Sequence, residues 1–323
     1  VFDWFLDFGG KGVMDVALVP EGGVIASRID FDLGATYGRI ARVDAAGQLS
    51  SEIEVQVDTV YGRPLLPLDD GAFATMGRPD NHEPNVQFDI YDAANASVWA
   101  HQDEPKWGIR PENVVQLSTG ERVFGVDDYK DGGWRLYVFD TQNQLVAQLG
   151  DPNSDARPFW YALGAMAADH QGRVVLALYE SQTDHHVMAF GLDNTPDWML
   201  ELPEDFSSSP IALAIGASGS IYVLFRGLDG AALAKMGPEG SFAWFQILNL
   251  DAVSLALLEG RDPVIAAADG SEEAPTFLQR MNPAGEIVET IELPKYSNIV
   301  LAGGEDCRIV AGTQPGALMQ LSG

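Results

Sequence analysis

One cysteine in 323 residues, Cys307, excludes an internal disulfide and a zinc site built on cysteines. It stands in Cys307-Arg308-Ile309-Val310, which reads as a strand, so a buried structural thiol is expected. Basic residues are also scarce: 19 Lys and Arg face 47 Asp and Glu, a formal net charge of −28. Such a charge repels phosphate backbones, anionic membranes and further copies of the chain, which argues against nucleic-acid binding. Two readings of the charge stay open, a solubility adaptation and a cation-attracting surface, the first being the commoner. No run approaches the roughly 18 apolar residues of a membrane span. Val1 opens the sequence with neither Met nor a basic-then-apolar leader. That fits a chain whose targeting segment has been removed, and it fits a trimmed chain as well.

Catalytic signatures are missing too. There is no Gly-x-Ser-x-Gly elbow, no His-Glu-x-x-His and no phosphate loop, and five histidines leave little for nucleophilic triads.

What is present is a repeat near 47 residues. An apolar run, a Gly turn, a second apolar run, a polar loop and a strand ending in Asp or Asn recur seven times. The first copy opens with Asp15-Val-Ala-Leu-Val-Pro-Glu-Gly-Gly-Val-Ile-Ala26 and the third with Asn113-Val-Val-Gln-Leu-Ser-Thr-Gly-Glu-Arg-Val-Phe124. The fifth opens with Ala212-Leu-Ala-Ile-Gly-Ala-Ser-Gly-Ser-Ile-Tyr-Val223. Turn glycines fall at Gly22, Gly71, Gly120, Gly172, Gly219, Gly260 and Gly304, where tight hairpins call for positive φ. A closing strand follows in most units, often with Trp, as at Trp99, Trp198 and Trp244. With no helix-length periodic segment, each unit reads as four short antiparallel strands, A to D. Four-stranded units at this period are propeller blades. The expected fold is all-β: one seven-bladed β-propeller domain over 1–323. Its blades fall near 13–57, 62–101, 110–149, 162–202, 210–247, 252–293 and 297–323, the last joined by 1–8. The seventh unit stops after strand C, while Phe2-Asp-Trp-Phe-Leu-Asp-Phe8 is a surplus strand. Pairing the two closes the ring and removes exposed sheet edges.

The unit resembles repeats of bacterial β-propellers of the PQQ-like, SBBP and delta-60 kinds. Asp15 to Ile25 with Ala41-Arg-Val-Asp-Ala-Ala-Gly47 is the stretch that carries the resemblance best. In those families such positions are structural. The tryptophan-docking pattern of quinone dehydrogenases, with Gly and Trp at fixed spacing in every blade, is not kept, so no bound quinone is implied.

In an up-and-down blade the B–C loop and D–A connection share one face, and the A–B and C–D turns share the other. The first face carries the longer, more varied connections and is the better candidate for binding. Its B–C loops are acidic, with Asp30 and Asp32, Asp80 and Glu83, and Glu272 and Glu273 among them. Asp127, Asp128 and Asp131 faintly suggest a calcium loop without its full spacing. Solvated surface is the commoner reading, and no cofactor is expected. His185 and His186, adjacent on a strand, point to opposite faces and do not form a pair. Arg63-Pro64, Arg110-Pro111 and Arg157-Pro158 recur at equal steps ahead of three A strands. With Trp107 and Trp160 nearby, Arg63, Arg110 and Arg157 form a candidate anion site at the channel mouth. The competing reading pairs each Arg with an acid of its own loop. The functional expectation is a non-enzymatic exported propeller, a binding or assembly scaffold for a protein or anionic small ligand. The alternative is a metal-dependent hydrolase or lactonase with carboxylates at the channel mouth.

Overall fold

The computed structural model describes residues 2–9, 12–20, 22–32, 35–56, 64–77, 86–102, 109–128, 133–150, 162–181, 184–202, 208–227, 230–248, 251–258, 262–268, 275–294, 296, 298–304, 308–314 and 316–322. The strands begin with β1 (Phe2–Asp7). The first sheet then holds β2 (Gly12–Leu18), β3 (Val24–Asp32), β4 (Ala35–Val43) and β5 (Leu49–Gln56). The second holds β6 (Leu65–Pro67), β7 (Phe73–Gly77), β8 (Gln87–Tyr91) and β9 (Ser97–Gln102). The third holds β10 (Ile109–Gln116), β11 (Arg122–Asp128), β12 (Trp134–Phe139) and β13 (Leu145–Leu149). The fourth holds β14 (Ala162–Ala168), β15 (Val174–Ser181), β16 (Asp184–Phe190) and β17 (Pro196–Glu201). In the fifth are β18 (Ser208–Ile215), β19 (Ile221–Gly227), β20 (Gly230–Met236) and β21 (Phe242–Leu248). In the sixth are β22 (Asp251–Leu258), β23 (Asp262–Ala268), β24 (Thr276–Met281) and β25 (Ile287–Leu293). The last set is β26 (Asn298–Gly303), β27 (Arg308–Gln314) and β28 (Ala317–Ser322).

Each set is an up-and-down sheet, and the seventh is completed by β1 in the order β1-β28-β27-β26. β1 runs antiparallel to β28, with Phe2 opposite Leu321 and Leu6 opposite Leu318. This is a seven-bladed β-propeller closed by its N-terminal strand, as the repeat implies. The chain packs as two compact units, residues 1–114 with 297–323, and residues 115–296.

Within each unit the cores lie between neighbouring blades. In the first, Phe8, Val13, Val24, Val310 and Leu318 bury together, with Trp4 and Leu6 packed on them. In the second, Val123, Trp134, Leu163, Leu176 and Phe190 fill the space between blades three and four. The first strand of each blade is its inner strand: β2 packs against β26 and β6, and β18 against β14 and β22.

Turn chemistry follows the repeat. Gly22, Gly71, Gly120, Gly172 and Gly219 all have positive φ. Gly304 does not, and Gly260 lies outside the described residues, as does Cys307. The Asp or Asn ending many C strands has a defined task. Asp44 Oδ1 accepts the N–H groups of Ala46 and Gln48, and Asp140 Oδ1 those of Gln142 and Gln144. Asn282 does the same for Ala284 and Glu286. The side chain thus pre-forms the C–D turn by bonding its own backbone.

Tryptophan docking, absent as an every-blade pattern, is present at three junctions among the described residues. Trp4 lies on Gly47, Trp198 on Gly240 and Trp244 on Gly285, each indole on the C–D turn of the next blade. A Cβ on Gly47 or Gly240 would stand 2.5 Å from the ring. Where the turn residue is Asn95, Asn143 or Asn194, positive φ is kept by the side chain that tolerates it best.

Candidate functional site

Charge is rare on the inner strands. Gly12-Val-Met-Asp-Val-Ala-Leu18 carries one carboxyl, Asp15, in an otherwise apolar strand, and β14 and β18 carry no ionisable residue. A register shift between Val13 and Asp15 marks a bulge at Met14. The same shift recurs between Leu163 and Ala165, Pro210 and Ala212, and Ala252 and Ser254. A bulge re-aims the side chain that follows it. Across these four strands the re-aimed residue is Asp, Ala, Ala or Ser, so Asp15 alone can exchange a proton.

Asp15 is half-buried. Its Oδ1 accepts the N–H of Val16 at 2.9 Å, and its Oδ2 accepts that of Leu65, on the next blade, at 2.8 Å. Asn113 repeats the local contact in blade three, accepting the Val114 N–H at 2.8 Å. Desolvation by burial pushes the Asp15 carboxyl up to about 7, against the pull of its two backbone donors, Leu65 and then Val16. A carboxyl in that range gives or takes a proton at neutral pH. Beside it, Gln314 at the end of β27 donates from Nε2 to the Met14 sulfur at 3.1 Å. Gln314 also packs over Gly12, where a Cβ would come within 2.9 Å of its side chain. The amide of Gln314 therefore meets the residue just before Asp15, in one strip of the first unit. Leu65 opens β6 and Gln314 closes β27, so this strip lies toward the B–C and D–A ends of its blades. Sequence reasoning passed over Asp15. The available signal was a solitary acid within an apolar inner strand.

The sequence-predicted residues fare differently. Arg63, Arg157, Trp107 and Trp160 lie outside the described residues, and of Arg110 only its strand, β10, is described. Asp131 also lies outside them, and Asp128 is described only as the end of β11. Asp127 is buried, and its Oδ1 accepts the Leu163 N–H at 2.6 Å, tying blade three to the inner strand of blade four. His185 and His186 are both buried, and the His185 ring lies 6.2 Å from Phe225. Among the described residues, no three His, Cys, Asp or Glu stand close enough to share a metal ion. None of their helices is long and apolar enough to cross a membrane.

At the A–B and C–D turns of the second unit, Arg173 draws neighbouring turns together. Its Nε donates to Asp169 Oδ2 at 2.7 Å and its guanidinium to the Pro238 carbonyl at 2.9 Å, with Asp197 at 3.4 Å. Burial works against this charge, but Asp169, then Asp197 and Glu239, more than offset it, and the guanidinium is held above its ordinary range. A shallow cavity of about 260 Å³ lies beside it, lined by Asp169, His170, Gln171, Ser218, Ile221 and Pro238. Its polar groups are engaged with one another: Asp169 with Arg173, His170 with the Gly216 carbonyl at 3.1 Å, and Ser218 with Ser220 at 3.0 Å.

No family model matches this chain, and no curated protein matches its sequence. Solved structures match it end to end. A catalytically inactive variant of virginiamycin B lyase from Staphylococcus aureus, with quinupristin, superposes with a TM-score of 0.70 at 11% identity. That match covers 99% of this chain and 98% of the lyase. A streptogramin B lyase superposes with a TM-score of 0.66 at 12% identity, over 98% and 96% of the two chains. At such identities the likeness is one of fold.

The comparison corrects the functional expectation. The non-enzymatic reading rested on missing catalytic motifs and on the structural character of the repeats. Propellers that superpose on this chain over nearly its whole length include lyases, so a plain repeat of this kind does not argue against catalysis, and the non-enzymatic reading falls. The resemblance to PQQ-like, SBBP and delta-60 repeats stands only at the level of the bacterial propeller.

Proposed function

We propose that this chain is an enzyme acting on a small ligand by proton transfer, of the lyase class, at the B–C and D–A ends of its inner strands. The observation that carries the reading is Asp15, a half-buried carboxyl on an inner strand, poised near 7 by its surroundings. An elimination needs a base that takes a proton as a leaving group departs, and a group poised near the working pH does this best. Support of a different kind comes from virginiamycin B lyase, captured with quinupristin on the same architecture. Arg63, Arg110 and Arg157, with Trp107 and Trp160, remain the proposed ligand-recognition set, on sequence grounds: guanidinium groups suit an anionic or carbonyl-bearing ligand. Export to an extracellular or periplasmic setting is part of the same proposal.

The reading is tested by carboxyl-selective NMR titration beside a turnover assay with quinupristin as probe. The expected results are an Asp15 midpoint near 7, and conversion of quinupristin with a rate that rises through the same pH and is lost in Asp15→Asn. An Asp15 midpoint at the ordinary carboxylate value would overturn the reading at its base. Unchanged turnover in Asp15→Asn would remove Asp15 from the chemistry.

A further inference from the structure

All the exposed large hydrophobics of the described residues lie on the outermost strands of blades, from Phe5 on β1 to Val288 on β25. These strands are sheet edges, with one row of backbone N–H and C=O groups unpaired by the sheet. Most are blunted by acids: Asp3 and Asp7 on β1, Glu52 and Glu54 on β5, Asp197 and Glu201 on β17, Glu289 and Glu292 on β25. β13 is short, and β9 carries His101.

β21 is the exception. Phe242-Ala-Trp-Phe-Gln-Ile-Leu248 is seven residues long with no charge and no proline. Ile247 is 64% exposed and Phe242 44% exposed, while Leu248 is buried in the core below. It pairs with β20 on one side only. Charge gathers at one end of it nonetheless. Glu239, 70% exposed, stands in the turn before it, and Glu286 follows the Gly285 turn on which Trp244 lies.

We propose that β21 is a docking edge that takes an extended strand with a basic end from a partner protein. An unpaired ladder row selects an extended chain, and exposed apolar side chains select apolar residues at alternate positions of the guest. These acids, in a chain of net charge −28, select Lys or Arg at the end of the guest that meets them. A second copy of this chain brings acids against acids and is disfavoured. The inference stands apart from the catalytic reading, because β21 is an outer strand and Asp15 lies on an inner one.

The test uses the full chain and a synthetic peptide, Lys-Lys-Thr-Val-Thr-Val-Tyr-Val-Thr-Val-Lys-Lys, beside a counterpart with Glu in place of every Lys. Binding is followed by calorimetry, and the amide exchange of β21 by mass spectrometry. The basic peptide is expected to bind, to protect the β21 amides, and to weaken about tenfold between low and physiological salt as screening grows. The Glu-flanked peptide is expected not to bind. Ile247→Lys should abolish binding and leave the melting curve unchanged, since the side chain is solvent-exposed. Absence of binding, or binding that survives Ile247→Lys, overturns the proposal. Concentration-dependent self-association that Ile247→Lys abolishes overturns it in favour of a second copy.

Discussion

The indole of Trp198 lies so close over Gly240 that any side chain there would enter the ring: a Cβ would fall 2.5 Å from it. The contact locks the outer strand of blade four to the C–D turn of blade five. Gly240 also has φ near +73°, so a substituent adds backbone strain to the clash. Gly240→Ala is expected to destabilise the fold by about 3 kcal/mol in chemical denaturation. Gly285→Ala should cost only about 1 kcal/mol, since Trp244 stands 3.3 Å from the corresponding position. Equal losses at the two sites would show that φ strain, not the indole, sets the cost.

Asp15 makes stability depend on pH in the sense opposite to most acids. Its folded pKa of about 7 lies above the ordinary 3.8. Between those values the folded chain holds a proton that the unfolded chain has lost, so stability falls as pH rises and levels off above 7. The loss amounts to at most about 4 kcal/mol, each pKa unit being worth about 1.4 kcal/mol. Asp15→Asn removes this contribution. The stability of the variant relative to the parent should therefore climb from pH 4 to pH 7 and then stay flat. A constant difference across that range would show an ordinary carboxyl.

Removing residues 1–8 takes away β1, the Trp4 contact with Gly47 and the Leu6 packing, and it bares the edge of β28. A loss of several kcal/mol, or aggregation, is expected by differential scanning calorimetry and light scattering. A monomer melting with the parent would refute closure by β1.

Chelation is expected to leave the melting temperature where it was. A tightly held cation would instead stabilise the fold by about 2.7 kcal/mol at a hundredfold excess over its dissociation constant. A fall of many degrees with EDTA, reversed by Ca²⁺ and not by Mg²⁺, would make the acidic B–C loops a cation site.

The blades were legible because their determinants are local. Gly22, Gly71, Gly120, Gly172 and Gly219 sit in hairpins whose φ only a few residues tolerate, and the Asp and Asn after the C strands bond their own turns. Closure was legible for the same reason, as a strand without a blade beside a blade without a strand. Asp15 was not. Its character comes from desolvation and from the N–H of Leu65, a blade away, and nothing in Met14-Asp15-Val16 announces either. Trp198 and Gly240 were each visible, but their contact belongs to the packing of two blades.

The pairing of Phe2 with Leu321 has a consequence for how the molecule is made. Of these strands β1 is made before all the others and its partner β28 after them, so β1 waits through the synthesis of everything between. Blades one to six can form from neighbouring segments, with only short loops to close. The β1–β28 ladder has nearly the largest sequence separation the chain allows, and topology of that kind slows folding. Until it forms, β1 is a loose apolar segment, Phe2-Asp-Trp-Phe-Leu-Asp7, exposed to self-association. Asp3 and Asp7 put charge into that segment, and charge of this kind opposes self-association while a strand is unpaired.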